Sequence, residues 1–107
     1  MESTFIVNIN EGTLEITLAG RLDAGNAPSL SDQLQEYKGK DINNMVIYAK
    51  DLEYMASAGI RVIVFAVQKI LKPGSDAYFI GGQSDIISVL EMTGLDDALI
   101  IQETYPG

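Results

Sequence analysis

The stretch AGIRVIVFAVQKILK, residues 58–72, decides the fold. Its Ile60, Val62, Ile63, Val64, Phe65 and Val67 have the β-branched and aromatic composition of a strand. Fifteen residues without a turn signal are too many for an ordinary strand, however. At ~100° per residue Arg61, Gln68 and Lys72 fall on one face, and Lys72-Pro73-Gly74 is a helix terminator. The segment is therefore predicted to be a helix, mostly buried.

Short apolar runs lie on either side of it. Met45 to Ala49 is a continuous run, as expected for a strand covered on both faces in a partly parallel sheet. The acidic, small-residue segment Lys50 to Ala56 is expected to be a loop. Ala77 to Ile80 forms another strand, closed by Gly81-Gly82; Ser84 then caps a helix that turns Ile86, Ile87 and Leu90 inward. Gly94 fits a left-handed helix end with Leu95 folding back on Leu90, and Leu99 to Ile101 makes a last strand before a frayed tail, QETYPG.

Toward the N-terminus, Phe5, Val7 and Ile9 alternate with other residues, Asn10-Glu11-Gly12 turns, and Leu14, Ile16 and Leu18 alternate again. That is a hairpin with one buried face. Gly20-Arg21-Leu22-Asp23 ends the strand, and Asn26 caps a helix with Pro28 in its first turn. Leu30, Leu34 and Tyr37 share a face of that helix, and Gly39 stops it. The expected order is ββαβαβαβ, an α/β fold with a mixed β-sheet and covering helices. Residues 1–107 read as one domain without repeats, linkers or low-complexity segments.

Bulk chemistry narrows the function. A hydrophobic content of 47% supports a core without metal or crosslinks. Seven Lys plus Arg against fifteen Asp plus Glu leave a net charge of -8, which repels nucleic acid and anionic membranes and favours a basic protein surface. No cysteine or histidine is present, so thiol nucleophiles, Ser-His relays and common zinc sites are excluded. No metal and no cofactor are expected. An acidic start without a leader pattern, and no run long enough to span a bilayer, suggest a soluble cytoplasmic protein.

Ser57 opens the predicted buried helix, and two roles are available to it there. It can cap the helix, as serines commonly do. A phosphate on it would instead gain from the free N–H groups and positive dipole end of the helix. Asp23, Asp51 and Glu53 gather near it if the loops cluster, so an added charge of about -1.5 to -2 would deepen a negative patch. An Asp23/Asp51 acid-base pair lacks support, Gly81-Gly82 lacks a P-loop's spacing and lysine, and a Ser57 nucleophile would need Lys50 as base. The chain is not expected to be an enzyme.

Three stretches carry a resemblance: LAGRLDAGNAPSL, DLEYMASAGIRVI and VLEMTGLDD. The first is similar to a Gly-x-Leu-Asp turn entering a helix. The second is similar to the signature Asp-Ser-Ser/Thr-Gly-Leu, or Ser-Ser-Ala-Gly-Leu-Arg, and the third to the family's last helix end. Nearly the whole chain thus resembles the STAS domains, and within them the stand-alone bacterial anti-sigma factor antagonists. The resemblance implies partner switching. Ser57 would be phosphorylated by an anti-sigma factor that is also a serine kinase, the unphosphorylated form would bind that partner and free the sigma factor, and a PP2C-type serine phosphatase would reset the switch. It implies a partner surface of Asp23, Asn26, Asp51, Ser57, Gly59, Ile60 and Arg61 on a monomer, with Gly59 letting the helix begin close to the partner's backbone. Ala56 departs from the pattern, standing where members carry Asp or Ser. The alternative is a STAS accessory or ligand-sensing module of a transporter or signalling assembly, holding a small ligand near Asp23 and Ser57 without a covalent switch.

Overall fold

A computed structural model describes residues 3–106. Strands β1 (Thr4–Asn10) and β2 (Thr13–Leu22) form the expected hairpin. Its two-residue connection, Glu11 and Gly12, has positive φ at both positions, 50° and 81°. That is the condition for a turn whose twist matches the strands it joins. After α1 (Ala27–Gln35) come β3 (Asn44–Met55), α2 (Ser57–Phe65), β4 (Asp76–Ile80), α3 (Ser84–Met92) and β5 (Ile100–Gln102). The sheet runs β1-β2-β3-β4-β5, with only β1 antiparallel to its neighbour.

Each crossover steps to the next strand in the same direction, and right-handed connections then place all three helices on one face. The core agrees. Leu14, Ile16, Leu18, Ile47 and Phe79 pack with Leu30 and Leu34 of α1, Val62 and Ile63 of α2, and Ile86 and Leu90 of α3. The register carries the opposite face across the sheet in rows, Glu15 beside Val46 beside Tyr78, and Thr17 beside Tyr48 beside Ile80. Val46 and Ile80 are buried yet lie outside the helix-covered core. Their neighbours on the sheet surface, chiefly tyrosines, must therefore cover them.

The predicted helix over 58–72 is present as far as Ile70: α2 relaxes into a π-helical turn, Ala66–Ile70, closed by the Leu71 N–H to the Ala66 carbonyl at 3.0 Å, and Leu71 itself is extended. The widened turn keeps Ala66, Ile70 and Leu71 buried together.

Four sequence expectations are corrected. Lys50 to Met55 is not a loop but the second half of β3. Register shifts between Thr17 and Ala19 and between Gly20 and Arg21 put two exposed residues between successive buried ones, Ala49, Leu52 and Met55. Such bulges erase the two-residue alternation by which a strand is recognised. Ser84 is the first residue of α3, and Gln83 occupies the cap position. The first helix ends at Gln35, short of Gly39, in a turn through residues 36–39. The tail is not wholly frayed: Gln102 belongs to β5, and Tyr105 packs edge to face on Tyr78 with ring centroids 5.0 Å apart. Gly107 lies outside the described residues.

Burial first, then the Glu15 carboxylate and Tyr105, push the Tyr48 phenol above its ordinary ionisation range. The unfolded chain ionises this tyrosine at pH about 10. Its contribution to stability is intact below that pH and is lost as pH rises through the higher native value. Tyrosine absorbance should show one late-titrating phenol that Tyr48→Phe removes, together with part of the alkaline loss of stability; an unchanged titration curve would refute the assignment.

Candidate functional site

The chemistry-bearing residues meet where β2 and β3 end. The last register pair is Leu22 with Met55, and the Ala56 N–H donates to the Leu22 carbonyl at 2.9 Å. That bond holds Ala56 extended, with ψ at 170°, and makes it the residue that caps α2. Ser57 is consequently the first helical residue rather than the cap, and no side-chain oxygen caps this helix. The first helical bonds run from Gly59 N (2.9 Å) and Ile60 N (3.2 Å) to the Ala56 carbonyl. The Ser57 and Ala58 amides are left without helical acceptors. Ser57 is exposed, and among the described residues its hydroxyl makes no hydrogen bond. No acidic residue occupies the first turn of α2.

Gly59 is buried and faces inward. A Cβ there would lie 2.6 Å from Leu22 Cγ and 3.1 Å from Met55 Cγ. The glycine thus permits a close approach to the chain's own strand ends. Without a side chain at 59, α2 can start against Leu22, which holds Ser57 beside the turn that follows β2.

That turn ties itself together. Asp23 Oδ1 accepts from the N–H groups of Gly25 (3.0 Å) and Asn26 (3.2 Å). Asn26 Oδ1 accepts from the Asp23 N–H at 2.8 Å, and its Nδ2 donates to the Arg21 carbonyl at 2.9 Å. Asn26 occupies the cap position of α1 as expected, but its side chain bonds backward into the turn and leaves the helix amides alone. Asp23 is accordingly a structural carboxylate at one oxygen. Its other oxygen lies 3.8 Å from Arg21 Nε.

Arg21 and Tyr54 escaped the sequence reading. The Arg21 guanidinium stacks 4.1 Å over the Tyr54 ring, which is 42% exposed. The two residues are paired in register across β2 and β3, a pairing visible only once β3 is known to run on to Met55. Asp51 pairs with Ala19, three residues before the end of β2, so it does not reach the Ser57 cluster, and Glu53 is exposed on the same strand extension. Ile60 is half-buried between two shallow grooves along α2. One, about 370 Å³, is lined by Val64, Val67, Gly94 and Leu95; the other, about 340 Å³, by Arg61, Phe65 and Lys69. Grouped at one end of the molecule are thus Asp23, Asn26, Ser57, Gly59, Ile60 and Arg61, with Arg21 and Tyr54 at the margin.

The site is thus a strand end abutting a glycine-tight helix start, with an exposed serine at its tip. Residues 4–106 match the profile of the STAS domain, and the chain belongs to that family. It is 29% identical over 103 residues to the anti-sigma-B factor antagonist of Bacillus subtilis (strain 168), covering 94% of this chain and 92% of that protein. The fold is shared with an anti-sigma factor antagonist from Mycobacterium paratuberculosis, with TM-score 0.83, 19% identity and coverage of 96% of this chain and 87% of the other. It is also shared with the anti-sigma factor antagonist SpoIIAA. The unphosphorylated form gives TM-score 0.76 at 12% identity, covering 95% and 90% of the two chains. The phosphorylated form gives 0.72 at 14%, covering 92% and 90%.

Gly59→Ala should lower stability. Overpacking against Leu22 costs up to about 3 kcal/mol, against ~1 kcal/mol regained from helix propensity. Urea denaturation should register a net loss of about 1–2 kcal/mol, whereas Ser57→Ala should stay within about 0.5 kcal/mol of the parent. Equal midpoints for Gly59→Ala and the parent would disprove the inward packing.

Proposed function

We propose that this chain is an anti-sigma factor antagonist that works by partner switching, with Ser57 as phosphoacceptor. The unphosphorylated helix start docks on an anti-sigma factor that is also a serine kinase, and this releases the sigma factor. The single observation that carries the proposal is the exposed Ser57 hydroxyl, free of intramolecular bonds at the first position of α2. Its Oγ would attack the γ-phosphorus of ATP held by the kinase, ADP would leave, and the hydroxyl proton would pass to a base on the kinase.

A phosphate at Ser57 would be accommodated by unused amides and the positive end of the helix. It would also set a fresh double charge, with its hydration shell, where the partner must make a dry contact. Like charge and desolvation then weaken docking. A PP2C-type phosphatase would restore the binding form. Ala56 removes one carboxylate or hydroxyl from the kinase's contact area, and its extended backbone still starts α2. The relatives' names and the shared fold support the same reading. A small ligand held between Asp23 and Ser57 has less support, because Asp23 Oδ1 is already occupied and the grooves flank α2 instead.

Incubation with the partner kinase and Mg-ATP should add one phosphate, detected by intact mass, and Ser57→Ala should abolish it. Ser57→Asp should weaken binding to the same kinase by tenfold or more, about 1.4 kcal/mol. Phosphate arriving at another residue, or undiminished binding by Ser57→Asp, would refute the switch.

A further inference from the structure

We propose that the helix-free face of the sheet is a second docking surface, built for an extended segment of another protein that carries arginine or lysine side chains. The inference is independent of Ser57. The chain has five tyrosines. Tyr37 belongs to the turn after α1 and gives its hydroxyl proton to the Val7 carbonyl. Three of the other four gather on the face the helices leave open. Tyr48 and Tyr78 stand on β3 and β4 and Tyr105 folds back from the tail onto Tyr78, while Tyr54 lies farther along β3, paired with Arg21.

Aromatic rings on an open sheet suit stacked bases or cations. The net charge of -8 decides between them, since a nucleic acid backbone would be repelled. Glu15 stands in this face beside Tyr48, and among the described residues it has no ion-pair partner. The chain already holds one cation in the manner proposed, the Arg21 guanidinium 4.1 Å over Tyr54. No cation of the chain's own lies over Tyr48, Tyr78 or Tyr105 among the described residues. Ile6, 48% exposed in the same row as Tyr48, offers an apolar contact beside the rings. Rings, a free carboxylate and an exposed aliphatic side chain, in a strongly acidic molecule, complement a segment alternating basic and apolar residues. A second copy of this chain would bring the same negative charge and is a poor occupant.

The probe is a short synthetic peptide alternating arginine and valine, with a citrulline-for-arginine peptide as its neutral counterpart. Titration followed by side-chain NMR should move the ring resonances of Tyr48, Tyr78 and Tyr105 saturably, with affinity falling as salt is added. Glu15→Gln and Tyr105→Leu, both half-buried and outside the helix-covered core, should each weaken binding by about fivefold while the chain stays folded. No saturable binding, equal binding of the citrulline peptide, shifts confined to α2, or unchanged affinity in both variants would each overturn the proposal. Because neither kinase nor phosphate enters the measurement, its failure leaves the Ser57 switch untouched.

Discussion

The parallel pairing of β2 with β3, carried through to Leu22 and Met55, is the constraint on which the rest of the site depends. It fixes where the strand stops and so where Ala56 becomes a cap without a side-chain oxygen. It also presents Leu22 to Gly59 at a distance that tolerates only hydrogen. Two bulges are the cost of reaching that far, because β3 must contribute extra residues to stay beside β2. Straighten the pairing and Met55, Ala56 and the start of α2 would all move relative to the Asp23 turn.

Much of this was open to a reader of the sequence, and the remainder was hidden for identifiable reasons. Alternation at Phe5 to Ile9 and Leu14 to Leu18, and the length of 58–72 ahead of Pro73-Gly74, were enough to place the hairpin and the buried helix. Residues 50–55 defeated periodicity because bulges replace one exposed residue with two between buried positions. Ser57 and Gly59 stood out in a recognisable motif, yet their local packing could not be read from it. Ser57 does not cap, and the glycine serves an internal contact. Arg21 with Tyr54, and Tyr48 with Tyr78 and Tyr105, could not be seen at all, since only strand register brings such distant positions together.

The molecule has two unlike surfaces. One is the strand-end rim, where the Asp23 and Asn26 side chains hold three backbone N–H groups and one carbonyl of their own turn. The other is the broad tyrosine face, whose rings roof over Val46 and Ile80 in place of a helix layer. Aromatic side chains suit that double duty because they present a large apolar body and a polar tip.

The unbonded Ser57 hydroxyl also bears on time. Nothing inside the fold has to break for a group to be attached there or removed, so neither change requires a conformational step. Under the proposed switch the interval between one bound state and the next would be set by how quickly partners dissociate and how quickly enzymes act on an exposed oxygen. Under that switch such a module would keep no memory in its shape; its history would be written in a single ester bond and erased when that bond is cut.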